Sequence, residues 1–185
     1  MRAIAEELGA HAERLEGAWS VEIGRSGPAL FRTSAPTRHE GTVRRVREQL
    51  DRQVPSTRPG HVCARPHVEH PALGRMRRPD AVVIPEAALD EEGLAVDATQ
   101  VLAAVEIVSP SNPDNDYVEK LDDYPAMDIP LYMIVDPRTG TIEIHSEPCR
   151  GRYTRKDPYI YGDSVPFGPW VVDTAAFRRY GKAGN

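Results

Sequence analysis

One strand-length run limits the architectures open to this chain. Val101-Leu102-Ala103-Ala104-Val105-Glu106-Ile107-Val108 is apolar at nearly every position, so both of its faces must be covered. Such a strand belongs at the centre of a sheet held between other layers, which points to an α/β domain. Ala81-Val82-Val83-Ile84 and Ile129-Pro130-Leu131-Tyr132-Met133-Ile134-Val135 are two further central strands of the same kind. Thr141-Ile142-Glu143-Ile144-His145 alternates and follows the turn Asp136-Pro137-Arg138-Thr139-Gly140, so it should pair antiparallel with the third run and make the sheet mixed.

The other segments fit around that sheet. Ala3 to Leu15 reads as a short amphipathic helix with Ile4, Leu8 and Leu15 on its apolar side. Trp19-Ser20-Val21-Glu22-Ile23, the turn Gly24-Arg25-Ser26-Gly27-Pro28 and Ala29-Leu30-Phe31 form a hairpin, in which Glu22 points away from Val21 and Ile23 toward solvent or a cleft. After a break at Ser34-Ala35-Pro36, Thr37 with Glu40 is a helix-capping pair. The helix should run from about Arg38 to Asp51 and stop before Pro55. A short strand is expected at His61–Ala64, a loop at 66–74 and an exposed acidic connection at 85–97. Asp114 or Asn115 should cap a helix ending near Tyr124. Edge strands around Tyr153 and Tyr159-Ile160-Tyr161 then lead into a loop-rich tail that frays over 178–185.

With 185 residues, no internal repeat and no low-complexity linker, the chain is expected to be a single domain over 1–185. No apolar run is long enough to span a bilayer, and residues 1–20 lack a signal-peptide core. The two cysteines, Cys63 and Cys149, are too few for a disulfide scaffold, so a reducing cytoplasm is expected. The net charge of −5 is unevenly spread. Arg38 to Arg78 holds ten Arg against four acids, and Asp80 to Glu147 holds sixteen acids against Lys120 and Arg138. The first segment suits phosphates and the second suits divalent cations, unless both are simply solvated surfaces.

Glu106 is the residue the apolar run does not need. A charge inside a two-faced apolar strand costs several kcal/mol unless it is paired or bound to a cation. Asp80, at the start of another central strand, can point into a cleft at the strand ends. Two carboxylates suffice for Mg²⁺, which keeps several of its waters, and such an ion can activate water against a phosphodiester. Asp116, Lys120 and Tyr124 follow at i, i+4 and i+8 on one helix face. Each residue has a plainer reading: an Arg partner for Glu106, turn capping for Asp80, and an exposed ion pair with Asp116 for Lys120. His39 suits a phosphate or a structural role equally. His61-x-Cys63-x3-His67-x2-His70 does not match a closed zinc pattern. No P-loop, dinucleotide fingerprint or Gly-x-Ser-x-Gly is present, which excludes the common NTPase, nicotinamide and hydrolase-fold classes.

Pro79-Asp80, Glu106 within Val-Glu-Ile-Val-Ser-Pro-Ser, Asp116-x3-Lys120-x3-Tyr124 and Ile129-Pro130-Leu131-Tyr132-Met133-Ile134-Val135-Asp136-Pro137 together resemble the Uma-two family of the PD-(D/E)XK nuclease superfamily. Ser34-x4-His39, Val21-Glu22-Ile23-Gly24 and Tyr161-Gly162-Asp163 extend the similarity over nearly all of the chain. The resemblance implies a restriction-endonuclease-like mixed central sheet flanked by helices, with an added N-terminal helix and hairpin. It also implies a metal-dependent endonuclease acting on DNA. Asp80 and Glu106 would hold Mg²⁺ or Mn²⁺, assisted by Glu22 and the Ile107 carbonyl. The superfamily lysine is expected two residues after Glu106, where Val108 stands, so the resemblance moves that role to Lys120. His39, Arg44, Arg45, Arg77 and Arg78, with Arg47 and Arg75, would meet the DNA backbone, and a homodimer would serve both strands. The alternative is a non-catalytic nucleic-acid or protein interaction module that keeps the fold.

Overall fold

The structure, a computed structural model, describes residues 2–32 and 37–181. The expected break at Ser34-Ala35-Pro36, the Ser34 of the family pattern and residues 182–185 of the tail lie outside them. In chain order the elements are α1 (Arg2–Ala12), β1 (Trp19–Gly24), β2 (Gly27–Arg32), α2 (Thr37–Thr57), β3 (His61–Ala64), β4 (His67–His70), β5 (Arg75–Arg77), β6 (Ala81–Pro85), β7 (Ala95–Asp97) and β8 (Ala103–Ile107). There follow α3 (Lys120–Ala126), β9 (Leu131–Asp136), β10 (Thr141–Cys149), β11 (Arg152–Ile160), β12 (Ser164–Phe167) and β13 (Trp170–Asp173).

The main sheet runs β11-β10-β9-β8-β6-β3. Only β8 and β9 are parallel within it. The strand period sorts side chains between the two faces. Val83, Val105, Met133 and Val135 meet Val43, Val46 and Leu50 of α2, together with Phe167 and Trp170 of the β12–β13 hairpin. Val82, Ala104, Tyr132 and Ile134 face the other way, toward Val68 and Val96 of the second sheet, Tyr124 of α3 and Met127 at its end. Glu106 shares the parity of Ala104, so it points toward the α3 side.

A second sheet, β2-β1-β5-β4-β7, contains the N-terminal hairpin, which joins it through Ile23 opposite Met76. The expected loop at 66–74 thus contains β4, and the acidic connection contains β7, paired parallel to β4. Short polar strands carry little apolar alternation, and distant partners stabilise them. α1 buries Ala5 and Ala12, whereas Ile4 and Leu15, expected inside, are exposed. Small side chains let this helix lie close against β1.

α2 does not stop at Asp51. It continues past Pro55 to Thr57 because Val54 is fully buried and the end is satisfied locally. Ser56 and Thr57 hydroxyls donate to the Gln53 carbonyl at 2.9 Å, and the Arg58 amide donates to Val54 at 2.7 Å. Two glutamines tie this helix to β13. Gln49 exchanges both amide bonds with the Asp173 backbone, and Gln53 does the same with Val171. The tail expected to fray from 178 is held as far as Tyr180, whose amide donates to Pro137 and whose hydroxyl donates to Val108.

Candidate active site

Strand pairing sets the two carboxylates side by side. The Asp80 amide donates to the Val105 carbonyl at 3.1 Å, one residue from Glu106. The Asp80 side chain reaches across to the next strand and accepts the Ile107 amide at 2.9 Å. It also accepts from Arg65 at 2.8 Å and His39 at 3.2 Å. In place of the local turn capping expected as the alternative, Asp80 accepts an amide of the neighbouring strand. Three protein donors hold the carboxylate in place.

Glu106 is held from the helix that follows its strand. Lys120 Nζ lies 2.8 Å from Glu106 Oε1, and the Tyr124 hydroxyl donates to the same oxygen at 2.6 Å. Lys120 also meets Asp116 Oδ1 at 3.4 Å. The ion pair with Asp116 thus exists, but it is buried, with Lys120 only 3 % exposed. This helix is not a uniform α-helix capped at Asp114 or Asn115. Asn115–Glu119 forms a π turn before α3, and Asp114 makes no side-chain cap. At 3.6 residues per turn, a step of four overshoots a full turn by about 40°. The wider π turn undershoots, so one π step followed by one α step offsets the drift. Asp116, Lys120 and Tyr124 all reach the floor of the site.

Glu22 comes to the same cleft from β1, buried and paired with Arg77 Nη1 at 3.3 Å. Arg77, expected on the phosphate face, is 1 % exposed. Its guanidinium also reaches Asp123 at 2.6 Å, Glu119 at 3.0 Å and Asn115 at 3.3 Å. Four acceptors around one buried guanidinium make it a clamp between the second sheet and the π-turn helix, with no surface left for DNA. Arg75 is likewise drawn to Asp123, at 2.7 Å. Gly24 belongs to the clamp, because a Cβ there would overlap the Arg77 guanidinium. Arg44 and Arg45 are exposed on α2 outside the cleft lining, and Arg47 is half-buried. Arg78 does line the cleft, as do His39 and Arg65. Arg65, which follows β3, had no sequence signal beyond its place beside β6.

The cleft has a volume of about 450 Å³. Glu22, Asp80, Glu106, Asp116 and Lys120 line it, with Ser109, Ser111 and Asn112 on one side and Phe31 on the other. Its acids differ in charge state. Burial pushes the Asp80 carboxyl up, but the His39 hydrogen bond and the charges of His39, Lys120 and Arg65 outweigh it, leaving Asp80 below the usual carboxylate range. Burial dominates at Glu106, and its carboxyl is raised well above that range despite Lys120. Asp116 is pushed up to about 6 by burial, with Asp80 adding repulsion. Burial opposes the charge on Lys120, yet Glu106, Glu22, Asp116 and Asp80 together raise its ammonium above the ordinary value. Burial thus disfavours the charged forms of Glu106 and Asp116, and a cation beside them would restore those forms.

Among the described residues, no three His, Cys, Asp or Glu side chains converge as a metal cage. His61, Cys63, His67 and His70 do not form one: Cys63 is buried in the α2-side core, His67 bonds Ser20 at 3.0 Å, and His70 accepts the Leu73 amide. The floor of the cleft is chemically different. Its donors are buried carboxylate oxygens, and Lys120 and Tyr124 both engage Oε1 of Glu106. That donor set fits a hard divalent ion such as Mg²⁺, which needs one or two carboxylates and keeps its remaining waters.

A mixed sheet with an acid at the start of one central strand, another inside its neighbour and a buried lysine on the next helix is a restriction-endonuclease-like fold. The chain belongs to the Uma2 family, described as "Putative restriction endonuclease", whose profile matches residues 12–168. A crystal structure from Anabaena variabilis ATCC 29413, described as "a putative nuclease belonging to DUF820", shares the fold with a TM-score of 0.60. The match covers 83% of this chain and 85% of that one at 13% identity. No curated protein matches the chain significantly. No helix among the described residues is long and apolar enough to cross a membrane.

Proposed function

We propose that this protein is a Mg²⁺- or Mn²⁺-dependent endonuclease that hydrolyses DNA phosphodiester bonds. One observation carries the reading: a buried lysine 2.8 Å from a carboxylate that an apolar strand does not otherwise need, with Asp80 beside it in a cleft. Asp80 and Glu106 would hold the ion, with the Ile107 carbonyl and Glu22 in support. When bound, the ion would polarise the phosphoryl oxygen and lower the pKa of the attacking water. The chain's own residues orient and balance charge. Ile107, His39 and Arg65 fix the Asp80 carboxylate, and Tyr124 fixes that of Glu106. Lys120 has three protons. Glu106 and Asp116 engage two of them, so the third is available to orient a water toward phosphorus. Arg78 meets the substrate backbone at the rim. A cytoplasmic homodimer is part of the same proposal.

The rival reading, a binding module that keeps the fold, has one observation in its favour: three protein donors already hold Asp80. Purified protein with single-stranded and supercoiled plasmid DNA and Mg²⁺ or Mn²⁺ decides between them. Nicking that is abolished by EDTA, by Glu106→Gln and by Lys120→Met is the expected result. Cleavage that survives both substitutions would overturn the site. Binding of DNA or a protein partner without cleavage would favour the module.

A further inference from the structure

We infer that the cleft admits an unpaired DNA strand and excludes the intact duplex. This rests on the nuclease reading and adds the form of the substrate. The groups that would act on the phosphodiester lie deep: Glu106 is 2 % exposed, and Lys120, Asp116 and Asp80 are nearly as buried. They sit at the bottom of a cleft of about 450 Å³. That volume lies at the lower end of the roughly 300–1,000 Å³ range of pockets that engulf a small ligand. It suits a nucleotide unit, whereas a duplex is a stiff rod that cannot lower one phosphate into it without deformation. Enzymes facing that constraint act on single strands or draw the target nucleotide out of the helix.

The walls point the same way. Phe31 lines the cleft from β2, directly opposite Ser20 in the β1–β2 register. It therefore shares the face of Ser20 and Glu22. Its half-buried ring on the cleft lining would give a stacking surface to a base, which has no free face inside a duplex. On the other wall, Ser109, Ser111 and Asn112 offer hydroxyl and amide groups to a sugar or base edge. The cationic complement is small. Arg75 and Arg77 are consumed by Asp123 and its neighbours and Arg65 by Asp80, which leaves Arg78 as the cleft arginine that faces a substrate phosphate. Duplex-binding proteins commonly engage about 6–10 phosphates. One such arginine on a chain of net charge −5 falls well short of that.

The test is fluorescence anisotropy with the full chain in EDTA, using labelled oligothymidylate and a duplex of the same length. The single strand is expected to bind at least about ten-fold tighter. A logarithmic salt slope near −0.7 is expected, from one phosphate contact at about −0.7. Phe31→Ala should weaken single-strand binding about 5- to 150-fold, corresponding to about 1–3 kcal/mol for one stacked base. Phe31→Trp should restore it, and an unchanged melting temperature in both variants separates stacking from folding. Equal or tighter duplex binding, no binding to either strand form, or indifference to Phe31→Ala in a folded protein would each overturn the inference. Plasmid cleavage with duplex preference would overturn it while leaving the nuclease reading intact. Single-strand preference with no cleavage would do the reverse.

Discussion

Arg77→Met should be strongly destabilising, and the surrounding contacts say by how much. Asp123 would keep Arg75 at 2.7 Å, and the Glu119 side chain is 47% exposed and could turn to water. Glu22 has no such recourse. Its side chain is 6% exposed, and Arg77 is the cation that meets it. Removing one partner of a buried pair leaves the other charge uncompensated, at a cost of about 3–5 kcal/mol. For a chain of this length, that is a melting-temperature loss of roughly 6–20 °C, at about 2–4 °C per kcal/mol. Gly24→Ala should act through the same guanidinium and cost about 1–3 kcal/mol as local overpacking. In the Arg77→Met background that cost should vanish, because the overlapping group is gone. Urea unfolding followed by tryptophan fluorescence measures all four corners of the cycle. An Arg77→Met cost below about 1 kcal/mol, or strict additivity of the two changes, would refute the clamp.

Three further outcomes follow from groups described above or packed near them. Tyr124→Phe removes the hydroxyl that donates to Glu106 at 2.6 Å and should cost about 1.5–3 kcal/mol in urea unfolding, as a hydrogen bond to a charged group. Burial pushes the Cys63 thiol up to about 12, whereas Cys149 is exposed, so a thiol reagent should label one cysteine in the native chain and two after unfolding. Burial holds His145 below its ordinary value despite the Glu143 bond. As pH falls through about 6.5 the unfolded chain therefore takes up a proton that the folded chain resists, and stability declines. His145→Gln should flatten the melting-temperature profile over that range, and an unchanged profile would refute the assignment.

The central strands were legible because burial on both faces writes itself as uninterrupted apolar runs. For the same reason Glu106 stood out, and it does lie on the cleft floor. The spacing of Asp116, Lys120 and Tyr124 was visible too, although the π turn that aligns them depends on packing and not on local propensity. β4 and β7 were hidden, since four- and three-residue polar strands exist only through distant partners. The basic tract Arg75–Arg78 misled for a related reason. Charge counting finds cations near one another but is blind to Asp123, 46 residues beyond Arg77, which turns that arginine inward. Pro55 was read as a stop because local chemistry says so, and the burial of Val54 overrode it.

The pairing of Gln49 and Gln53 with β13 has a consequence for how the chain avoids its own copies. A carboxamide carries one acceptor and two donors at the end of a short stem, so it can imitate a peptide group. These two side chains bond the backbone of Val171 and Asp173 as a neighbouring strand would. The outer rim of the hairpin is thereby sealed by a helix posing as a strand, and a foreign strand finds no template there. Neither glutamate nor lysine could do this, since each lacks half of the required chemistry. Gln49→Glu or Gln53→Glu would remove the donor half of that mimicry and reopen part of the rim.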